Sequence, residues 1–390
     1  MKKVELGNYI KQIRGVSYSS GDSIKEEKFG YLPILRSNNI EESKLNFDDL
    51  VYVPTDFVKE EQLLKKGDIL ITASTGSIKV IGKNGCVNKD YNGSFGAFCK
   101  LVRPLKTIDS GYLKHYFQSK SYRNYIRNIV NGANINNIKN GHIDGIKIPL
   151  PPLATQKKIA AILDAADAYR QKTKTLIDKY DQLTQSLFLD MFGDPVTNPK
   201  GWEKASLKEL CDFKKTTIKP NEINDGEIYI GLECIEKQSG VIIEKFEVKE
   251  GEIKSNKFWF DKNYILYGKL RPYLNKVANP DFEGICSTDI IPIKPLIEKT
   301  SKEFIVSLMR GSWFVAFADE RSSGANLPRI SPKDVEKYLA INPPIDLQNQ
   351  FAARVQAIET QKTLAQQVLQ QADNLFNSLL QKAFKGELVT

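Results

Sequence analysis

Two stretches of the chain carry apolar side chains at helical spacing without a break. Residues 153–192 contain no glycine or proline, and apolar or small residues recur at Ile159, Ile162, Ala166, Tyr169, Thr173, Leu176, Tyr180, Leu183 and Leu187. The steps alternate three and four, which predicts a long helix with a heptad seam. A second stretch carries Ile358, Ala365, Val368, Ala372, Leu375 and Leu379, with Gln361 as a polar interruption. Pro151-Pro152 and Pro343-Pro344 stand just before these stretches, where proline suits the approach to a helix and not its interior. Gly193-Asp194-Pro195 and Gly386 supply the stops. Each predicted helix has ~38 residues and would span ~57 Å. A helix with one narrow seam needs a partner. The obvious partner is the other copy, which predicts an antiparallel coiled-coil pair with a globular domain at each end.

The rest of the chain reads differently. Residues 1–150 contain short runs such as DDLVYVP, GDILITAS and AFCKLVRP, broken by Gly, Asn and Pro. These predict strands and turns, interrupted by a more helical stretch, SGYLKHYFQSKSYRNYIRNIV. Residues 201–342 repeat the mixture with GEIYIGLE, KNYILYGKL and IIPIKP, then KEFIVSLMRGSWFVAFA. Both halves are therefore expected to be α+β domains. The repetition extends to single residues. GANINNI at 132–138 matches GANLPRI at 324–330, an offset of 192. The same offset sets Pro151-Pro152 on Pro343-Pro344, Leu153 on Ile345, Gln156 on Gln348, Leu187 on Leu379 and Phe192 on Phe384. Upstream the offset shifts, with Ile69-Leu70 on Ile265-Leu266. A unit this long is no solenoid repeat but a duplicated domain pair, a pseudo-two-fold internal repeat. The expected organisation is a globular domain at 1–150, a spacer helix at 151–195, a second globular domain at 196–342 and a second helix at 343–390.

Composition narrows the class. The chain has 390 residues, 41% hydrophobic and 26% charged, which is ordinary for a folded globular protein. No apolar run approaches the ~18 residues of a membrane span, and no apolar stretch follows the first lysines as in a secretory signal. Cysteines 86, 99, 211, 234 and 286 are odd in number and lack a CxxC pair. That excludes a disulfide scaffold and the usual cysteine zinc modules, and fits reduced thiols in a cytoplasmic protein. His115 and His142 have no neighbouring ligand pattern and read as structural, so no metal site is expected. The net charge of +9 sits almost wholly in residues 1–152, at +8, while 153–192 carry +1 and the remainder is balanced. A polyanion partner fits the first domain best.

Catalytic motifs are notable by their failure. Asn342-Pro343-Pro344-Ile345 is similar to the (D/N/S)PP(Y/F/W) motif of amino-methyltransferases, but the aromatic is missing. The equivalent Leu150-Pro151-Pro152-Leu153 has no amide at all. The stretch from Gly76 to Asn84 loosely suggests a phosphate loop, with the wrong spacing and no Ser/Thr for magnesium. A strand–turn pair fits it better, although Lys79 and Lys83 could touch phosphates. Pro280-Asp281 and Glu283 lack the lysine of a nuclease site.

Signals for nucleic acid are positive. Arg123 and Arg127 lie four apart on a helical stretch interleaved with Tyr122, Asn124, Tyr125 and Asn128. Arginine and asparagine are the residues that read guanine and adenine edges bidentately; a solvated helix face is the alternative. The small-residue loops around Asn134 and Asn326, flanked by Lys139 and by Arg321 and Arg329, allow close backbone approach to a ligand, or are simply turns. Lys269, Arg271, Tyr273 and Lys276 crowd one loop of the second half.

Two variable α+β domains, each followed by PP(L/I)xxQ and a long helix, resemble the specificity (S) subunit of type I restriction–modification systems. The residues that carry the resemblance are Pro151 to Leu163 and Pro343 to Ala353, and the architecture covers the whole chain. The second motif is looser, with Arg354 where the first has Ile162. The resemblance implies that each globular domain is a target-recognition domain reading one half of a bipartite site in double-stranded DNA. The helices would form the spacer that sets the gap; ~57 Å corresponds to ~17 base pairs. Two modification (methyltransferase) subunits carrying S-adenosylmethionine would dock on this chain and methylate adenine. Restriction (motor–nuclease) subunits would join for cleavage. This chain itself would have no cofactor and no catalysis. Two rival readings remain: a self-sufficient enzyme, which needs methyl-donor binding by the isolated chain, and a protein-only scaffold, which should show no salt-dependent DNA affinity.

Overall fold

A computed structural model describes residues 2–41, 43–77, 80–133 and 137–389. The chain forms two compact units, Met1–Thr173 with Val368–Thr390 and Lys174–Gln367. Both divisions fall inside the long helices, so each unit is a globular part plus a segment of each helix.

In unit 1 the strand Lys3–Glu5 pairs with Lys147–Pro149, tying the chain start to the approach of the first long helix. A four-stranded antiparallel sheet runs in the order Ile10–Arg14, Cys99–Pro104, Ile69–Thr72, Asn84–Cys86. A second sheet joins Val51–Pro54, Tyr31–Leu35 and Ser94–Phe95, the last pair parallel. The expected helical stretch divides at Ser119 into Ser110–Gln118 and Lys120–Ala133. Tyr112, Phe117, Tyr122 and Ile126 from these helices fill the core under the sheet.

Unit 2 repeats the plan. Lys204–Ser206 pairs with Leu339–Ile341. The sheet order is Cys211–Asp212, Ile290–Pro295, Ile265–Gly268, Val277–Ala278. The second sheet has five strands and again contains one parallel pair, Glu227–Ile230 with Gly284–Cys286. Helices Lys302–Arg310 and Ser312–Glu320 stand where the first half has its own pair. Phe188, Phe192, Phe304, Trp313 and Phe351 cluster with ring centroids 5.0–5.7 Å apart.

The repeated glutamine has a structural reason. Gln156 Oε1 accepts the N–H of Asp109, the N-cap of helix Ser110–Gln118, at 2.8 Å, and its Nε2 donates to Pro151 O at 2.8 Å. Gln348 Oε1 accepts the hydroxyl of Thr300 at 2.8 Å and the N–H of Ser301, the matching N-cap, at 3.0 Å, while its Nε2 donates to Pro343 O. Each glutamine is buried and joins a long helix to the globular part beside it.

The long helices are Leu153–Phe192 and Ile345–Lys385. Gly193 and Gly386 end them with φ +79° and +90°, a backbone that glycine adopts without strain. Their pairing is antiparallel within each unit. In unit 1 Arg170 Nε donates to Asp373 at 2.6 Å and the guanidinium lies over the Phe376 ring. In unit 2 Lys362 pairs with Asp181, and Phe351 packs on Phe188 and Phe192.

The expected seam needs a correction of one residue on one side. Ile159 is buried, and Tyr180, Leu187, Ile358, Val368 and Leu379 are half-buried, as a seam requires; Ala365 is buried. Ile162, Tyr169, Leu176 and Leu183 are instead 39–54% exposed, and Leu375 is 55% exposed. The helix turns inward Leu163, Arg170, Ile177 and Thr184. In the second helix the inward residue is Phe376 in place of Leu375, and the polar position at the seam is buried Lys362, beside exposed Gln361. Residues three and four positions on from a seam residue lie on either side of it, so the periodicity fits both flanks. The partner helix chooses: in unit 1 Asp373 and Phe376 of the second helix draw in Arg170, and in unit 2 Asp181 of the first helix draws in Lys362.

One contact gives a pH prediction. The His115 ring bonds Asp164 at 2.8 Å, and Lys114 pairs with the same carboxylate. The hydrogen bond from His115, aided by Lys114, holds the Asp164 carboxyl down at about 2. A carboxyl lowered in the folded state stabilises above its unfolded value near 3.8 and loses that contribution as pH falls towards 2. Solvent screens the half-exposed group, so the effect is small. Asp164→Asn should flatten the dependence of the urea midpoint on pH between 4 and 2; an unchanged slope would exclude this role.

Candidate nucleic-acid interface

In each unit three separate segments meet at the open end of the four-stranded sheet. In unit 1 the N–H groups of Ala73 and Ser74, just past the strand Ile69–Thr72, donate to Phe98 O at 2.9 and 3.0 Å. The N–H of Cys99 donates to Gly96 O, and Ile138 N–H donates to Ala73 O at 2.7 Å. In unit 2 Lys269 N–H donates to Asp289 O at 3.0 Å, Ile290 N–H to Ser287 O, and Ile330 N–H to Lys269 O at 3.1 Å. Ser74 bridges Asn137 as Leu270 bridges Arg329. These matched bonds make Ala73 equivalent to Lys269, Phe98 to Asp289 and Asn137 to Arg329. In unit 1 Gly132 and Ala133, expected in a loop, are instead the last residues of the helix Lys120–Ala133, whereas the matching Gly324 and Ala325 lie in a loop that ends at the junction of unit 2.

The junction of unit 2 is cationic. Lys269 Nζ and Arg329 Nε each stand 3.6 Å from Asp289 Oδ1. Arg271 is exposed, donates its N–H to Pro328 O at 2.7 Å and takes the left-handed φ of 53° that aims the chain across the sheet end. Asn326 is exposed on the same loop, and Arg321, also exposed, covers the Phe317 ring at its base. Tyr273 is exposed one turn on. Lys276 is committed elsewhere, its Nζ donating to Leu232 O at 2.6 Å.

In unit 1, Lys83 and Lys139 are exposed, Lys139 directly after the segment 137–138. Arg127 is exposed, whereas Arg123 is half-buried and donates to Ile81 O at 3.2 Å, bracing the turn that carries Lys83. The two arginines expected to act together therefore have different surroundings. Lys79 and Asn134 lie outside the described residues.

Sequence reasoning passed over several groups near these ends. Lys100 pairs in register with Arg14 and its ammonium bonds Asn140 Oδ1. Burial lowers the Lys100 pKa, Arg14 adds to this and Asp144 opposes it. Lys215 is lowered likewise, by burial and then by Lys269. Phe98 and Asp289 were also missed. Only the sheet register, absent from any local pattern, brings them into place.

This surface offers cations and amides, groups whose chemistry suits an anion or a base edge. Among the described residues no group of three or more His, Cys, Asp or Glu could hold a metal ion. Burial pushes the thiols of Cys99, Cys211 and Cys286 up to about 12, which leaves no thiolate nucleophile there. Asn342-Pro343-Pro344 forms the approach to the helix starting at Ile345. Asp281 and Glu283 lie exposed in a surface loop whose Pro280 O accepts Lys302 Nζ. No helix of the described residues is long and apolar enough to cross a membrane.

Comparison with known proteins adds the following. A family model described as the type I restriction modification DNA specificity domain matches residues 1–181 and again 199–374. The specificity subunit of the type I restriction enzyme EcoKI from Escherichia coli is 31% identical over 408 aligned residues, covering 96% of this chain and 86% of that protein. The StySPI specificity subunit from Salmonella potsdam is 30% identical, with the same coverages. Among solved structures, the S subunit of a type I restriction–modification system from M. genitalium aligns over 98% of this chain and 96% of its own, with a TM-score of 0.57 at 13% identity, a likeness of fold.

Proposed function

From the premise that the chain belongs to the type I restriction–modification DNA specificity family, we propose that its two globular domains each read one half of a bipartite site in double-stranded DNA. The observation that carries this is the duplicated three-segment junction, one in each unit, ringed in unit 2 by Lys269, Arg271 and Arg329. Cations there would neutralise phosphates and fix the register, while arginine and asparagine side chains would read base edges. The residues proposed for contact in the first half are Lys83, Arg127, Lys139 and, through its turn, Arg123. In the second half they are Lys269, Arg271, Tyr273, Arg321, Asn326 and Arg329.

The helix pair sets the gap between the half-sites. Two modification subunits dock on this chain, bring S-adenosylmethionine and methylate an adenine that is flipped into their own pocket. Restriction subunits join for cleavage. This chain contributes recognition and no catalytic group or cofactor, and works in the cytoplasm. The apolar side chains left exposed on the first long helix, Ile162 and Tyr169 in unit 1 and Leu176 and Leu183 in unit 2, support a role for the helices in protein docking.

The test is the methylome of a host co-expressing this chain with its modification subunit. Methylated adenine in a two-part motif with a fixed gap is the expected result. No new methylation, with both proteins folded and associated, would overturn the proposal. Inserting seven residues into each long helix keeps the heptad phase. It should lengthen the gap and leave both half-sites unchanged; an altered half-site would contradict the spacer role.

A further inference from the structure

The turn that closes each junction ends in a residue whose backbone position is the same in both units and whose chemistry is opposite. In unit 1 it is Phe98, with its side chain 71% exposed although it is fully apolar. In unit 2 it is Asp289, a carboxylate set in a surface of cations. Neither choice is explained by packing. An isolated exposed phenyl contributes nothing to the core beneath it, and a carboxylate facing a polyanion is repelled unless something offsets its charge.

The neighbours change together with this residue. Beside Asp289 stand Lys269 and Arg329, each with a nitrogen 3.6 Å from the same carboxylate oxygen. Beside Phe98 the equivalent positions are Ala73 and Asn137, both uncharged. Where the carboxylate is present, two cations offset it; where the phenyl replaces it, they are absent. The carboxylate is thus compensated by two cations at the edge proposed to face DNA, and the phenyl is held in solvent at the corresponding edge.

We infer that this single turn position, Phe98 in one unit and Asp289 in the other, is a specificity-determining residue that reads one base pair in each half-site. The phenyl makes the apolar contact that a thymine methyl group offers in the major groove, and the carboxylate accepts a hydrogen bond from the exocyclic amino group of cytosine. This rests on the proposed reading of DNA by both units and extends it to a named position and base chemistry.

The experiment compares methylomes of the full chain with its modification subunit, unaltered and carrying Phe98→Ala, Phe98→Leu or Asp289→Ala. Phe98→Ala should relax discrimination about 10-fold at one position of one half-site and leave the other half-site and the gap as they were. Phe98→Leu, which keeps an apolar contact, should retain most of the preference. Asp289→Ala should relax one position of the opposite half-site by a similar factor. The untouched half-site in each variant reports that the chain is folded and assembled. If the unaltered chain gives a two-part motif and each variant leaves it unchanged, the inference fails and the DNA reading stands. Relaxation of both half-sites by one variant would overturn it too, as a structural effect. If the unaltered chain directs no two-part methylation, the reading and the inference fall together.

Discussion

Phe188→Ala is expected to cost unit 2 about 3–5 kcal/mol, the range for removing a buried phenyl from a packed core. Phe188 is 1% exposed, and its ring meets four aromatic neighbours: Phe192 at 5.1 Å, Phe304 at 5.5 Å, Trp313 at 5.6 Å and Phe351 at 5.7 Å. The first two are supplied by the end of one long helix and by the helix Lys302–Arg310, the others by the following helix and the start of the second long helix. Truncation therefore opens a cavity where four elements converge, and none can collapse into it without leaving another. All three tryptophans, 202, 259 and 313, lie in unit 2, so tryptophan fluorescence, excited selectively over tyrosine, follows this unit alone during urea unfolding. A loss below about 1 kcal/mol would mean that the four elements do not depend on this ring.

Gln348→Leu should cost unit 2 about 2–4 kcal/mol, and Gln156→Leu about 1–3 kcal/mol in unit 1. Leucine fills a similar volume, so the penalty comes from polar groups left unpaired and not from a void. At Gln348 these are the Thr300 hydroxyl, the Ser301 N–H and Pro343 O. At Gln156 they are the Asp109 N–H and Pro151 O, one group fewer. The order of the two penalties is itself a check. Faster hydrogen exchange of the Asp109 and Ser301 amides in the respective variants would show that the lost bond is the cause. Unchanged protection at both amides would sink the assignment.

These glutamines show how far the sequence reaches. Their recurrence four residues after each proline pair is plain in the letters, and so is the fact of duplication. Their partners are not, because Asp109 and Ser301 precede them by 47 residues each, and nothing local marks the distance. The same division holds for the interface. Lys269, Arg271, Arg321, Asn326 and Arg329 are legible as basic and amide residues in loops. That Lys269 and Arg329 share one carboxylate, 3.6 Å from each, depends on strand register. The balanced charge of residues 193–344 gave no hint of it, since a net sum carries no positions.

Local periodicity and turn chemistry act over a few residues, and so the two long helices and their glycine ends, the main strands around Ile69 and Ile265, and the two-fold repeat follow from the letters alone. The tertiary structure alone decided which flank of each helix is buried. Leu176 and Ile177 are equally apolar neighbours, and only the opposing helix of unit 2, which holds Asp181 of the same helix through Lys362, makes one of them inward and leaves the other in solvent. It alone also set Phe98 and Asp289 in equivalent places, because backbone hydrogen bonds between distant segments, and no pattern within either segment, fix where a turn ends.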